Sequence, residues 1–241
     1  KLDFLLKERS VFRIENGCFD IDKNEYRFTI NGVEESISIL DPSITALKVF
    51  EERFGKAGSE LNNREIECGS FDFGFYIFDF SAQAPARYQL DKEDKDNIRK
   101  HRIYLYRDNI RVYPYGEPDD DWLRIDAYRG TISAGLFLSN DQVVGFVNIS
   151  QKNNPNLKDK TNREGLIDEG NATEDFITLI QTFLAYIRQK PYARYRKNIE
   201  SKKGQDIFIS GRVQRGFDEL KSAVEDNKAA LRILSKAEQG I

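Results

Sequence analysis

The 241-residue chain is 39% hydrophobic and 12% aromatic, which supplies a core and excludes disorder as its dominant state. Lys and Arg number 37 against 40 Asp and Glu, so a net charge of -3 writes no nucleic-acid footprint into the bulk charge. One histidine, His101, and two cysteines, Cys18 and Cys68, exclude a disulfide framework and disfavour Ser–His or Cys–His catalysis and a His-built metal site.

Apolar runs such as Val143–Val147 are too short to span a bilayer, and no secretory pattern opens the chain. The expectation is a cytoplasmic protein with reduced thiols, without membrane contact. The chain begins at Lys1 and lacks methionine, so it is expected to be part of a larger protein.

Residues 1–66 read as a β-rich segment with one helix. Leu2–Ser10 suits a short helix. Phe19–Asp22 and Tyr26–Ile30 alternate apolar and polar residues, and Asn31-Gly32 leads into Val33–Leu40, a hairpin signal. Pro42 opens a helix whose Ile44, Leu47, Phe50 and Phe54 form a core stripe, ended by Gly55 and Gly58.

Residues 67–190 read as an α/β domain. Ser70–Phe80 places Phe71, Phe73, Phe75 and Ile77 on one buried face. Asp91–His101 suits a short helix or an exposed turn. Ile103–Tyr115 reads as a hairpin turning at Arg107-Asp108-Asn109, and Gln142–Ser150 as a buried strand. Residues 151–170 form a long polar loop, of the kind that is functional or disordered. A helix over 171–200 is capped by Asn171 or Thr173 and carries Phe176, Leu179, Ile180, Phe183, Leu184 and Ile187 on its apolar face. Pro191 marks its end or a kink.

Residues 191–241 read as a basic helical extension. Phe217, Leu220, Val224, Leu231 and Leu234 fall on the positions of a short coiled-coil seam, more suited to packing on the same chain than to a dimer zipper.

Phe54–Gly58 lacks the spacing and terminal Lys-Ser/Thr of a phosphate-binding loop and reads as a helix end. Glu117, Asp119, Asp120 and Asp121 lack calcium-loop spacing and read as a solvated loop. Lys158–Glu164 (KDKTNRE) is the strongest site-like feature. It lies between a buried strand and a helix, where cations can meet an anionic ligand, lysine as a point charge and arginine as a fork. A solvated loop neutralised by Asp159 and Glu164 fits the same charges equally well.

Tyr106–Trp122 (YRDNIRVYPYGEPDDDW), Leu138–Ser150 (LSNDQVVGFVNIS) and Asn154–Leu166 (NPNLKDKTNREGL) together resemble bacterial proteins of the GHKL ATPase class. That class includes DNA gyrase B, ATP-dependent heat-shock chaperones, histidine kinases, MutL and the MORC ATPases. The similarity covers roughly residues 69–192 and is to the transducer domain that follows the nucleotide-binding domain.

The resemblance implies ATP and magnesium bound in an N-terminal ATPase domain of the same polypeptide, with a polar residue of the transducer loop reaching the γ-phosphate. By position that residue is Lys160, with Lys158 and Arg163 as alternates, while Asn162 and Glu164 orient the loop. It also implies a left-handed βαβ crossover between Phe71–Phe80 and the later strands. The chain itself departs from the class: it has no Asp-x-Gly-x-Gly, no helix carrying the magnesium-site Glu and Asn, and no Gly-rich lid. Alone it is therefore expected neither to bind ATP tightly nor to hydrolyse it.

The expected fold is α+β: a mixed or antiparallel sheet with packed helices, a transducer fold of the ribosomal-protein-like kind, plus a helical C-terminal extension. Three functional readings follow: a nucleotide-state relay, a non-catalytic interaction module pairing with a partner or as a homodimer through the C-terminal helix, and nucleic-acid binding through 188–203. The last rests on Arg194, Arg196 and Lys197 interleaved with Tyr192 and Tyr195. The same cations also suit a solvated helix C-terminus, and the acidic chain favours that reading.

Overall fold

A computed structural model describes residues 1–56, 64–131, 137–160, 165–167, 170–202, 213 and 215. The chain divides into two units, Lys1–Ala193 and Arg194–Ile241. The first is α+β.

Among the described residues, seven strands form one sheet in the order β3-β2-β1-β4-β7-β5-β6. They are β1 (Phe12–Asp20), β2 (Glu25–Ile30), β3 (Val33–Ser38), β4 (Phe71–Ile77), β5 (Ile103–Arg107), β6 (Ile110–Arg111) and β7 (Val143–Ile149). The β1–β4 ladder carries the sheet across residue 66, so the β-rich N-terminal segment and the following strands share one sheet.

Local chemistry sets the turns. Asn31 and Gly32 both take positive φ, 49° and 85°, so Ile30 pairs directly with Val33 in a two-residue hairpin. Asp108 and Asn109, with φ of 48° and 64°, close β5 on β6 in the same way. Every ladder is antiparallel except β5–β7. This corrects the expected crossover: β4 pairs antiparallel with both neighbours, and the parallel connection runs instead from β5 to β7, through α5 (Ile125–Thr131).

One face of the sheet is aromatic and closed by α6 (Ala172–Ile187). Phe183 lies 4.6 Å from Phe73 and 5.0 Å from Phe28 between ring centroids, and Phe176 lies 5.1 Å from Phe71. Such rings each contribute about 1.5–3 kcal/mol on burial, with a further increment for edge-to-face geometry. The buried Tyr26 hydroxyl donates to the Leu179 carbonyl at 2.8 Å, satisfying its one polar atom.

The expected single apolar face of this helix is too narrow a description, because α6 is buried nearly all round. Its far side meets α2 (Pro42–Thr45) and α3 (Lys48–Phe54). The stripe Ile44, Leu47, Phe50, Phe54 is buried as expected, but it spans two helices. Leu47 takes an extended backbone, φ -74° and ψ 126°, and so starts α3.

The N-terminal turns, α1 (Leu2–Phe4) and a π-helical turn over Leu5–Arg9, join α4 (Lys92–Ile98) near the strand ends: Leu5, Phe78, Ile98 and Val144 form a second apolar cluster.

Candidate functional site

The loop after β7 is itself a small hairpin. The Ile167 N–H donates to the Lys158 carbonyl at 2.7 Å and the Lys160 N–H to the Gly165 carbonyl at 2.9 Å, while Asp159 bridges Leu166 antiparallel. Residues 161–164 join these two arms. They lie outside the described residues, and with them Asn162, Arg163 and Glu164.

Four groups hold the base. Asn154 is wholly buried: its Oδ1 accepts from the Ser150 N–H at 2.9 Å, and its Nδ2 donates to the carbonyls of Cys68 at 2.7 Å and Ser70 at 2.9 Å. Arg107 of β5 donates to the Leu157 carbonyl at 2.7 Å and pairs with Asp159 at 3.2 Å. The Tyr115 hydroxyl accepts from the Leu166 N–H at 2.9 Å. Thr173 in the first turn of α6 donates to the Ile167 carbonyl at 2.8 Å. Leu157 and Leu166 are buried as apolar feet.

Lys160 stands exposed where the described first arm ends. Lys158 is exposed too, and lines a cavity of about 160 Å³ with Glu67, Asn156, Ile167 and the α6 start, Asn171 and Ala172. The structure thus brings Lys158 and Lys160 onto one arm of an anchored hairpin.

A second cluster sits beside this base. Asp175 is wholly buried in the first turn of α6. Arg64 meets both its oxygens, Arg53 reaches Oδ1 through Nε at 2.8 Å, and the Glu67 N–H donates to Oδ2 at 3.1 Å. Its hydrogen bond to this carboxylate raises the Arg64 pKa above the ordinary guanidinium value. Asn171 donates to the Glu67 carboxylate at 2.8 Å, and Asn156 to the Glu67 carbonyl at 3.1 Å, joining this cluster to the hairpin. A buried carboxylate with two guanidiniums and a backbone donor is a satisfied structural joint.

The acidic run 117–121 is the expected solvated loop only at Pro118 and Asp119, which are exposed; Glu117, Asp120 and Asp121 are half-buried. Asp121 accepts from the N–H groups of Ile125, Asp126 and Ala127, satisfying the open start of α5. Glu117 is held by Arg111. Burial pushes both the Asp120 and Asp121 carboxyls above the usual carboxylate range. Among the described residues, no group of three or more His, Cys, Asp or Glu is placed to hold a metal ion.

Pro191 lies in a π-helical turn, Arg188–Tyr192, where Arg188 stacks over Tyr192 at 5.3 Å. In the second unit 194–202 is helical, with Arg194 and Lys197 exposed and Arg196 half-buried. The proposed seam lies outside the described residues, apart from isolated positions that carry none of it. Among the described residues, no helix is long and apolar enough to cross a membrane.

No protein-family model, curated protein or solved structure matches the chain.

Sequence reasoning singled out the loop but missed its anchors. Asn154 carried a signal, an Asn-Pro step straight after a buried strand. Arg107 and Tyr115 carried none, because their partners are remote in sequence, and Thr173 stood out only as a candidate cap of the helix.

Proposed function

We propose that this chain is a nucleotide-state relay, the transducer part of a GHKL-type ATPase, with Lys160 as the contact to the γ-phosphate of ATP held by a preceding domain of the same polypeptide. One observation carries the reading: an exposed lysine stands on a hairpin whose base is fixed to β5, to the 68–70 segment and to α6. An ammonium on such a mount meets phosphate oxygens as a point charge. Because the mount is hydrogen-bonded to the first turn of α6, a pull on the hairpin reaches that helix as a rigid-body displacement. ATP, with its magnesium, supplies the charge that is sensed. The residues described here fit the phosphate contact and not the metal, so no step is assigned to magnesium.

The test uses the polypeptide extended N-terminally to its natural start. Calorimetry with ATP and magnesium is expected to give binding by the extended protein and none by this chain. Lys160→Ala is expected to abolish turnover in the extended protein with its unfolding midpoint unchanged, and Lys158→Ala to leave most turnover intact. Unchanged turnover in Lys160→Ala overturns Lys160 as the sensor, and absence of ATP binding by the extended protein overturns the relay.

A further inference from the structure

The face of the sheet turned away from α6 is covered at its Val144 end by Leu5 and Leu6 and, among the described residues, is open at Phe146. Tyr76, Val144, Phe146 and Asn148 belong to it, as their ladder partners and the opposite parity of Phe73 and Phe75 require. A groove of about 420 Å³ runs along it, lined by Leu2, Leu6, Tyr76, Tyr104, Tyr106 and Phe146 among others. Phe146 lies across Gly74, where any Cβ would come within 2.9 Å of its ring, and it remains 37% exposed. Asn109 and Asn148 also line a second cavity of about 290 Å³, which holds Asp72 and Asp108. The two cavities therefore adjoin at Asn109 and Asn148, the first apolar and aromatic, the second polar.

Their charge is one-sided. Asp72 and Asp108 are the only charged residues in the lining of either cavity among the described residues. The nearby cations are engaged: Arg27 pairs with Asp20 at 3.2 Å, and Arg111, over the Tyr104 ring at 4.5 Å, pairs with Glu117. Asp72 lies beside the Cys18 thiol, which Arg27 also approaches, and Asp108 accepts the Gln151 N–H at 3.2 Å; neither carboxylate is in an ion pair among the described residues, so each keeps lone pairs open. Unneutralised carboxylates beside aromatic rings favour a cation with an apolar neighbour.

From this we infer that the groove docks an extended peptide segment with an aromatic or large apolar residue over Phe146 and Tyr76 and an arginine or lysine between Asp72 and Asp108. The shape selects the source. Tyr76 to Asp72 spans about 13 Å along the strand, which an extended chain covers in four residues. The apolar and basic residues of the partner are therefore about four positions apart, a separation a compact organic amine does not bridge.

The test is fluorescence anisotropy on the full chain with the labelled heptapeptide Ser-Phe-Ser-Gly-Ser-Arg-Ser, and with versions carrying Glu for Arg or Ser for Phe. The expected result is saturable binding, weakened about tenfold or more in either altered peptide. Phe146→Ser, and the pair Asp72→Asn with Asp108→Asn, are expected to weaken it similarly with an unchanged circular dichroism spectrum. Equal binding of the glutamate peptide, or no saturation by any peptide up to about 1 mM, overturns the proposal. So does self-association in sedimentation that Phe146→Ser abolishes, since that assigns the face to a second copy. Competition by butylguanidinium as strong as by the heptapeptide overturns the peptide as source.

Discussion

Arg64 grips Asp175 with both terminal nitrogens, at 2.9 Å to Oδ2 and 2.5 Å to Oδ1, and so closes the 64–67 segment onto the first turn of α6. Arg53 reaches the same carboxylate from α3 and also binds the Asn171 carbonyl at 3.2 Å. The carboxylate is wholly buried, so its removal leaves two guanidiniums without their anion. Asp175→Ala is expected to cost about 3–5 kcal/mol, the range for breaking a buried ion pair from one side. Arg53→Lys is expected to cost less, since a lysine keeps charge but loses the forked contact. Urea unfolding of both variants measures this; a loss below about 1 kcal/mol for Asp175→Ala would show the cluster to be dispensable.

A tighter constraint lies where the hairpin meets the 68–70 segment. Gly69 has φ of +77°, and a Cβ there would meet the Asn153 carbonyl oxygen at 2.0 Å. Backbone cannot retreat as a flexible side chain does, so Gly69→Ala must separate the two segments. Asn154→Ala removes three hydrogen bonds and strands buried partners, each unsatisfied group costing about 1–3 kcal/mol. Both variants are expected to lower the unfolding midpoint, whereas exposed Lys160→Ala is expected to shift stability by less than about 0.5 kcal/mol. Thermal melts of the three variants suffice, and a Gly69→Ala midpoint equal to the parent's would contradict the close approach.

How much of this could be read from sequence depends on the range of the interaction. The Asn31-Gly32 hairpin and the Phe71–Ile77 strand were legible because the turn and the alternation are local. β1 was legible only near Phe19: a bulge at Asn16, with φ of 53°, shifts the register between Ile14 and Gly17 and breaks the alternation upstream. The α2–α3 helix pair looked like one helix because its stripe keeps helical spacing across the break at Leu47. The far side of α6 was illegible, since Asp175 and Gln181 look solvent-facing until Arg53, Arg64 and the Leu123 carbonyl arrive from elsewhere. The lysine loop stood out by charge, but its base is held by Arg107 and Tyr115, which no local pattern couples to it, as well as by the nearby Thr173.

Asp120 gives a pH signature. Burial holds its carboxyl above the usual range despite the Gly116 N–H, and Oδ2 has no hydrogen-bond partner among the described residues. The folded state therefore holds this proton more tightly than the unfolded chain does. A raised folded pKa gives a contribution that is complete below the unfolded pKa and lost as pH rises through the folded value. Asp120→Asn is neutral throughout, so its stability relative to the parent is expected to rise from about pH 4 upward and to level off once pH exceeds the raised folded pKa. Urea midpoints across that range test it. A flat difference with pH would mean that this carboxyl does not titrate as its burial requires.

Cys68 reports on the hairpin anchor from within. Its thiol is buried, and burial, followed by the negative charge of Asp175, holds its pKa far above the ordinary thiol value. The thiolate is the reactive form, so iodoacetamide at about pH 8 should spare Cys68 in the folded chain. Cys18 is half-buried, its pKa raised first by burial and then by Asp72, so it should label slowly. The Cys68 carbonyl is one of the two that bind Asn154. Loss of that side chain should free the 68–70 segment in a local opening without global unfolding. Mass-spectrometric labelling of Asn154→Ala in the absence of denaturant is therefore expected to show Cys68 modified several-fold faster than in the parent, with Cys18 unchanged. Equal acceleration of both cysteines would instead mean that the substitution loosens the whole fold, and that Asn154 does not act as a local fastening of the hairpin.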